Sequence, residues 1–65
     1  MKHLMNTLFV LTEDAYLSLE NENVVVSVGD KVLGRMPLHT LEQILYFGYK
    51  GASPALMGKC VELGI

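Results

Sequence analysis

Four valines in five positions, Val24-Val25-Val26-Ser27-Val28, constrain this chain more than any other run. β-Branched side chains are stiff about χ1 and pack well on a pleated surface, so the run reads as a strand. Gly29-Asp30 follows at once, and a glycine-bearing pair between apolar runs marks a hairpin. The returning strand is Lys31-Val32-Leu33-Gly34-Arg35-Met36, closed by Pro37, which has no N–H to give to a ladder. Upstream, Tyr16-Leu17-Ser18-Leu19 alternates, with Leu17 and Leu19 on one face, as a half-buried strand does. Glu20-Asn21-Glu22-Asn23 joins it to the valines through residues that tolerate tight turns. Thr7-Leu8-Phe9-Val10-Leu11 reads as a first strand, apolar on both faces, set off by the polar turn Thr12-Glu13-Asp14. These four strands are expected to form an antiparallel meander.

Downstream, Leu38-His39-Thr40-Leu41 reads as a short helical turn, and Gln43-Ile44-Leu45-Tyr46-Phe47 as a fifth strand with large apolar groups on both faces. The last segment is a helix with both ends written in. Ser53 stands where its hydroxyl can cap a free N–H, and Pro54 stands where a missing N–H costs nothing. Leu56, Cys60 and Leu63 recur as one apolar stripe, Gly64 suits a left-handed cap, and Ile65 suits the apolar contact that goes with it. Strand, glycine-bearing loop, capped helix and apolar residue begin a strand–helix–strand unit. The chain is therefore expected to be one domain, residues 1–65, cut from a longer parent. Its expected class is mainly β with one C-terminal helix (α+β), built on an antiparallel meander of about five short strands.

At 65 residues, such a domain buries only about 60 % of the surface its unfolded chain exposes. Half of the residues are hydrophobic (51 %) and 18 % are charged, which excludes intrinsic disorder. The single cysteine, Cys60, cannot close an internal disulfide, and a reducing, cytoplasmic setting is the simplest one. The net charge is −2, with Lys2, Lys31, Arg35, Lys50 and Lys59 scattered, unlike the basic stripe of a stand-alone nucleic-acid binder. The apolar run Leu8-Phe9-Val10-Leu11 is too short for a signal-peptide core or a membrane span.

No residue pattern here carries chemistry. His3, His39 and Cys60 are the candidate soft metal ligands, and no two share the spacing of metal sites. Gly48-Tyr49-Lys50-Gly51-Ala52-Ser53 leads into a helix, yet Ala52 and Ser53 stand where a phosphate loop needs lysine and a hydroxyl. Ser53 lacks the flanking glycines of a nucleophile elbow and reads as a cap. Cys60 reads as a small core residue and His39 as a turn or surface imidazole. Glu13, Asp14, Glu20 and Glu22 read as solvated turn carboxylates; Phe9, Tyr16, Tyr46, Phe47 and Tyr49 read as packing residues. No catalytic, cofactor-binding or metal-ligating residue is assigned. Two strands apolar on both faces instead call for a second layer, from another copy or from the rest of a parent.

Several runs together carry a resemblance: Leu4-Met5-Asn6-Thr7-Leu8-Phe9-Val10, Tyr16-Leu17-Ser18-Leu19 with Asn23-Val24-Val25-Val26, Met36-Pro37-Leu38-His39, and Phe47-Gly48-Tyr49-Lys50-Gly51-Ala52-Ser53-Pro54-Ala55-Leu56-Met57. The chain resembles the N-terminus of the CRISPR adaptation integrases, the first of the CRISPR-associated proteins, and the subtype I-C branch in particular. The resemblance implies part of a β-sandwich-like N-terminal domain that mediates homodimerisation. It implies a parent that is a metal-dependent DNA endonuclease, using magnesium or manganese to insert spacers into the CRISPR array in antiviral defence. The parent's partners would be a second CRISPR-associated adaptation protein and double-stranded DNA, in a prokaryotic cytoplasm and with no membrane. Its glutamate, histidine and aspartate metal ligands belong to a helical domain whose motifs are absent here. The chain alone is accordingly expected to be an inactive scaffold without a cofactor. The other reading of the same residues is a free-standing, cytosolic β-rich interaction module.

Overall fold

The computed structural model describes residues 2–4, as backbone, and residues 6–65. Six strands stand among them: β1 (Lys2–Leu4), β2 (Thr7–Val10), β3 (Tyr16–Glu20), β4 (Asn23–Val28), β5 (Lys31–Pro37) and β6 (Gln43–Tyr46). A short 3-10 turn covers Leu38–Thr40, and the single α-helix, α1, spans Pro54–Leu63. The expected class, mainly β with one C-terminal helix, is the one observed.

The strands divide into two three-stranded sheets, β1-β2-β6 and β3-β4-β5. The meander is confined to β3, β4 and β5, so the antiparallel run does not include the first of the strands expected from the sequence. That strand, β2, pairs antiparallel with β1 and parallel with β6, which places Leu8 beside Ile44 and Val10 beside Tyr46. The reason is burial on both faces. A strand apolar all round gains more in the middle of a sheet than at the end of a half-solvated meander.

Inside the meander, local chemistry sets the register. Glu20 pairs with Asn23 across a two-residue turn in which Asn21 and Glu22 both have positive φ, 49° and 64°. Both central residues of the mirror-image hairpin turn need that conformation, because it matches the strand twist. The second turn places Gly29 at φ 59° between Val28 and Lys31. Beyond it the register slips at Val26/Ser27, leaving Leu33 as an extra residue on β5. Such a bulge twists an edge strand away from further pairing.

The two sheets share one core. Leu8 and Val10 from β2 pack with Leu17, Val24 and Val26 from the meander, closed by Leu38, Leu41 and Leu56. Ser53 caps α1 through its hydroxyl, which accepts from the Leu56 N–H at 3.1 Å. Gly64 turns the exit at φ 78°, and the Ile65 N–H returns to the Cys60 carbonyl at 2.8 Å. The expected stripe holds at Leu56 and Cys60 but not at Leu63, which is 42 % exposed. The left-handed cap brings Ile65 against the core, as expected, while Leu63 faces outward.

The helix is also tied to the meander. Residues 51–53 run along β3, with the Leu17 N–H donating to the Gly51 carbonyl (3.2 Å) and the Ser53 N–H to the Leu17 carbonyl (2.8 Å). Lys59 on α1 meets Glu22 in the first hairpin turn at 2.9 Å and Glu62 at 3.7 Å. The Glu22 carboxyl is held below its ordinary range by the hydrogen bond and charge of Lys59, and the Lys59 ammonium is held above its own chiefly by Glu22. The lowered Glu22 contributes stability at neutral pH that fades as pH falls through the carboxylate range, and the raised Lys59 contributes stability that fades at strongly alkaline pH. In Glu22→Gln the acid-side loss of stability, followed by urea unfolding across pH, should be shallower than in the parent chain. Ser53→Ala should cost about 1 kcal/mol in the same measurement, because it strands one helix N–H.

Candidate interaction surfaces

The loop that delivers α1 is fixed by one side chain. The Tyr46 hydroxyl donates to the Ala15 carbonyl and accepts from the Gly51 N–H at 2.9 Å. The Tyr49 N–H donates to the Glu13 carbonyl at 3.0 Å, so loop 48–51 lies against turn 12–15. Gly48 sits at the point of closest approach. A Cβ there would stand 2.7 Å from both the Glu13 carbonyl oxygen and the Tyr46 hydroxyl, so no larger residue fits without moving backbone. The packing role expected for Tyr46 is thus joined by a polar one.

The other singled-out residues fall as follows. His39 lies exposed on the 3-10 turn. His3 is in β1, and its side chain lies outside the described residues. Cys60 is half-buried beside the core, and burial pushes its thiol up. Glu13 and Asp14 are exposed in their turn, and Glu20 meets Arg35 at 3.3 Å across the surface of the meander. Phe47 and Tyr49 are largely exposed, at 62 % and 73 %, so they do not pack into the core. They follow β6 past the end of the sheet, where nothing from the meander covers them. Among the described residues no three His, Cys, Asp or Glu side chains gather in a way that could hold a metal ion. The described residues do not fit a divalent-metal site.

What the fold does present is uncovered apolar surface, in two places. On the outer face of the β1-β2-β6 sheet, Phe9 stands beside Leu45 in the parallel register, with Leu11 and Phe47 just beyond the strand ends. Leu45 is 37 % exposed and Leu11 is 58 % exposed. On the inner side an open groove of about 300 Å³ runs between β6 and α1, lined by Ile44, Tyr46, Met57, Cys60, Val61 and Ile65 among others. Both surfaces are apolar and both border β6. No helix of the described residues is long and apolar enough to cross a membrane.

Removing the hydroxyl tests how much the loop depends on Tyr46. Tyr46→Phe leaves the Gly51 N–H and the Ala15 carbonyl without this partner and should cost about 1–3 kcal/mol by urea unfolding. Amide exchange in loop 48–52 should rise more than exchange in β4, since β4 makes no contact with that hydroxyl.

Known proteins resemble this chain over most or all of its length. The family described as CRISPR associated protein Cas1 matches residues 8–65. A CRISPR-associated endonuclease Cas1 of Chlorobaculum tepidum is 46 % identical over all 65 residues, which cover 19 % of that relative. A second, from Rhodospirillum rubrum, is 42 % identical over the same 65 residues and again 19 % of its length. One from Thermus thermophilus is 35 % identical over 63 residues. The chain spans about a fifth of the length of the relatives it matches, at their N-terminal end. The chain therefore belongs to the CRISPR-associated Cas1 family.

Proposed function

We propose that residues 1–65 form the N-terminal association module of a CRISPR adaptation integrase, a scaffold that pairs two copies while the DNA chemistry is done elsewhere in the parent. The observation that supports it most is the outer face of the β1-β2-β6 sheet, where Phe9, Leu11, Leu45 and Phe47 leave an apolar surface that no layer of the described residues covers. A small domain gains most by burying such a face against a partner, and closed two-fold pairs are the commonest way to do it. The names of the relatives supply the rest of the reading: they are endonucleases, and by this proposal the chain positions an endonuclease without cleaving DNA itself. Magnesium or manganese, double-stranded DNA and a second adaptation protein are then partners of the whole parent, in the cytoplasm. The free-standing module is the weaker reading, because all 65 residues align with the start of much longer relatives.

Sedimentation equilibrium of the chain should give a reversible dimer. Replacing Leu45 and Phe47 by glutamate should weaken it by about tenfold or more while leaving the β4 amide protection intact. A chain that stays monomeric at high concentration, or a double variant that associates as well as its parent, would sink the reading. The chain should also leave supercoiled plasmid uncut with either metal, and cleavage that survives further purification would contradict the scaffold role.

A further inference from the structure

Helix α1 carries a glycine that neither its backbone nor its neighbours require. Gly58 lies in mid-helix, and a Cβ built on it would meet nothing within 4 Å. Unlike Gly29, Gly51 and Gly64, it is not at positive φ. A glycine in an exposed helix interior weakens the helix there, because it leaves the backbone freer than alanine would. The weak point divides α1 into two parts that are held differently. Ahead of it, residues 51–53 are hydrogen-bonded to Leu17 on β3, Ser53 caps the first turn and Leu56 is buried. Beyond it, Val61, Glu62 and Leu63 are exposed, Cys60 is half-buried, and residues 59–63 reach the meander through the Lys59 ammonium, 2.9 Å from the Glu22 carboxylate.

The other half of that ion pair is an equally unexpected residue. Glu22 is the second central residue of its hairpin turn, at φ 64°. Glycine suits that place best, since a side chain at positive φ crowds the backbone. The Glu22 carbonyl accepts from the Leu38 N–H at 3.0 Å, a bond that glycine would make as well. What Glu22 adds over glycine is the carboxylate, and the carboxylate reaches α1. An unfavourable backbone conformation kept at a side chain that bridges two elements points to a mechanical role. Lys59 suits the other end of the bridge. Its side chain is 23 % exposed, so the stem lies along the protein while the ammonium emerges. Glu62, on the same helix at 3.7 Å, gives that ammonium a second partner that travels with it.

We propose that Gly58 and the Glu22–Lys59 pair are the hinge and the latch of a movable segment, residues 59–63, which sets how far the apolar groove between α1 and β6 stands open. With the latch closed, Cys60 packs beside the core in the wall of that groove. With the latch open, the segment turns about Gly58, Lys59 stays with Glu62, and Cys60 moves toward solvent. The motion lies within one copy of the chain, so it stands or falls separately from the pairing of two copies through the outer face of β1-β2-β6.

Cys60 is the single cysteine and reports the motion directly. In Glu22→Gln, Cys60 should react with iodoacetamide about threefold faster than in the parent chain, and the amides of residues 60–63 should exchange faster by a similar factor. The β4 amides should keep their parent rates. Salt at about 1 M should speed the parent toward the variant and leave the variant unchanged. Adding Gly58→Ala should bring both rates of Glu22→Gln back toward those of the parent, because it stiffens the hinge. Glu22→Gly separates the latch from the turn: it should free residues 60–63 as Glu22→Gln does, yet leave the β3–β4 hairpin better protected. Equal rates in the parent and Glu22→Gln overturn the proposal. So does a faster Cys60 reaction with unchanged amide exchange, which reports only the altered charge beside the thiol. A rise matched in β4 reports global unfolding and also overturns it, as does a Glu22→Gln rate that Gly58→Ala leaves unchanged.

Discussion

Thr7–Val10 and Gln43–Tyr46 lie side by side in parallel, and that one pairing makes everything between them a closed excursion. Parallel neighbours cannot be joined by a tight turn. The intervening residues use their length to build a complete second sheet, β3-β4-β5, before the 3-10 turn brings the chain back. Leu8 and Val10 then become the floor on which the meander's Leu17, Val24 and Val26 rest. Without the parallel pair, the meander would keep its hairpins and lose the surface that buries them.

A second constraint acts at the junction of the sheets with the helix. Tyr46, at the end of β6, places its hydroxyl between turn 12–15 and loop 48–51, and Gly48 permits the approach. A half-buried phenol with both a donor and an acceptor partner is costly to disturb, because removing its hydroxyl leaves two backbone groups without that partner. The bonds from residues 51–53 to Leu17 and the Lys59–Glu22 pair continue the same attachment along α1. One face of the helix is thus held firmly while the side carrying Met57 and Val61 is left open.

The ionisable side chains of the described residues are spread over the surface rather than gathered in one place. The carboxylates sit in turns and in surface ion pairs, and the thiol lies against the core. Apolar surface is what the domain has in excess: much of it borders β6, and Val32 and Leu33 expose more on β5.

The sequence by itself determined the local pieces. Turn residues and the valine run defined both hairpins, and Ser53, Pro54 and Gly64 defined both ends of the helix, because each acts on backbone groups within a few residues of itself. It also placed His39 and Cys60 on separate elements, a turn and the last helix, because their spacing in the chain keeps them apart. Three things were decided only in the tertiary structure. The partner of β2 depended on a choice between two apolar surfaces far apart in the chain, the dual role of Tyr46 depended on two loops meeting, and the exposure of Leu63 depended on how the helix lies against the core. Periodicity reports which side chains wish to be buried. Which neighbour buries them is a long-range question, answered only when the whole core closes.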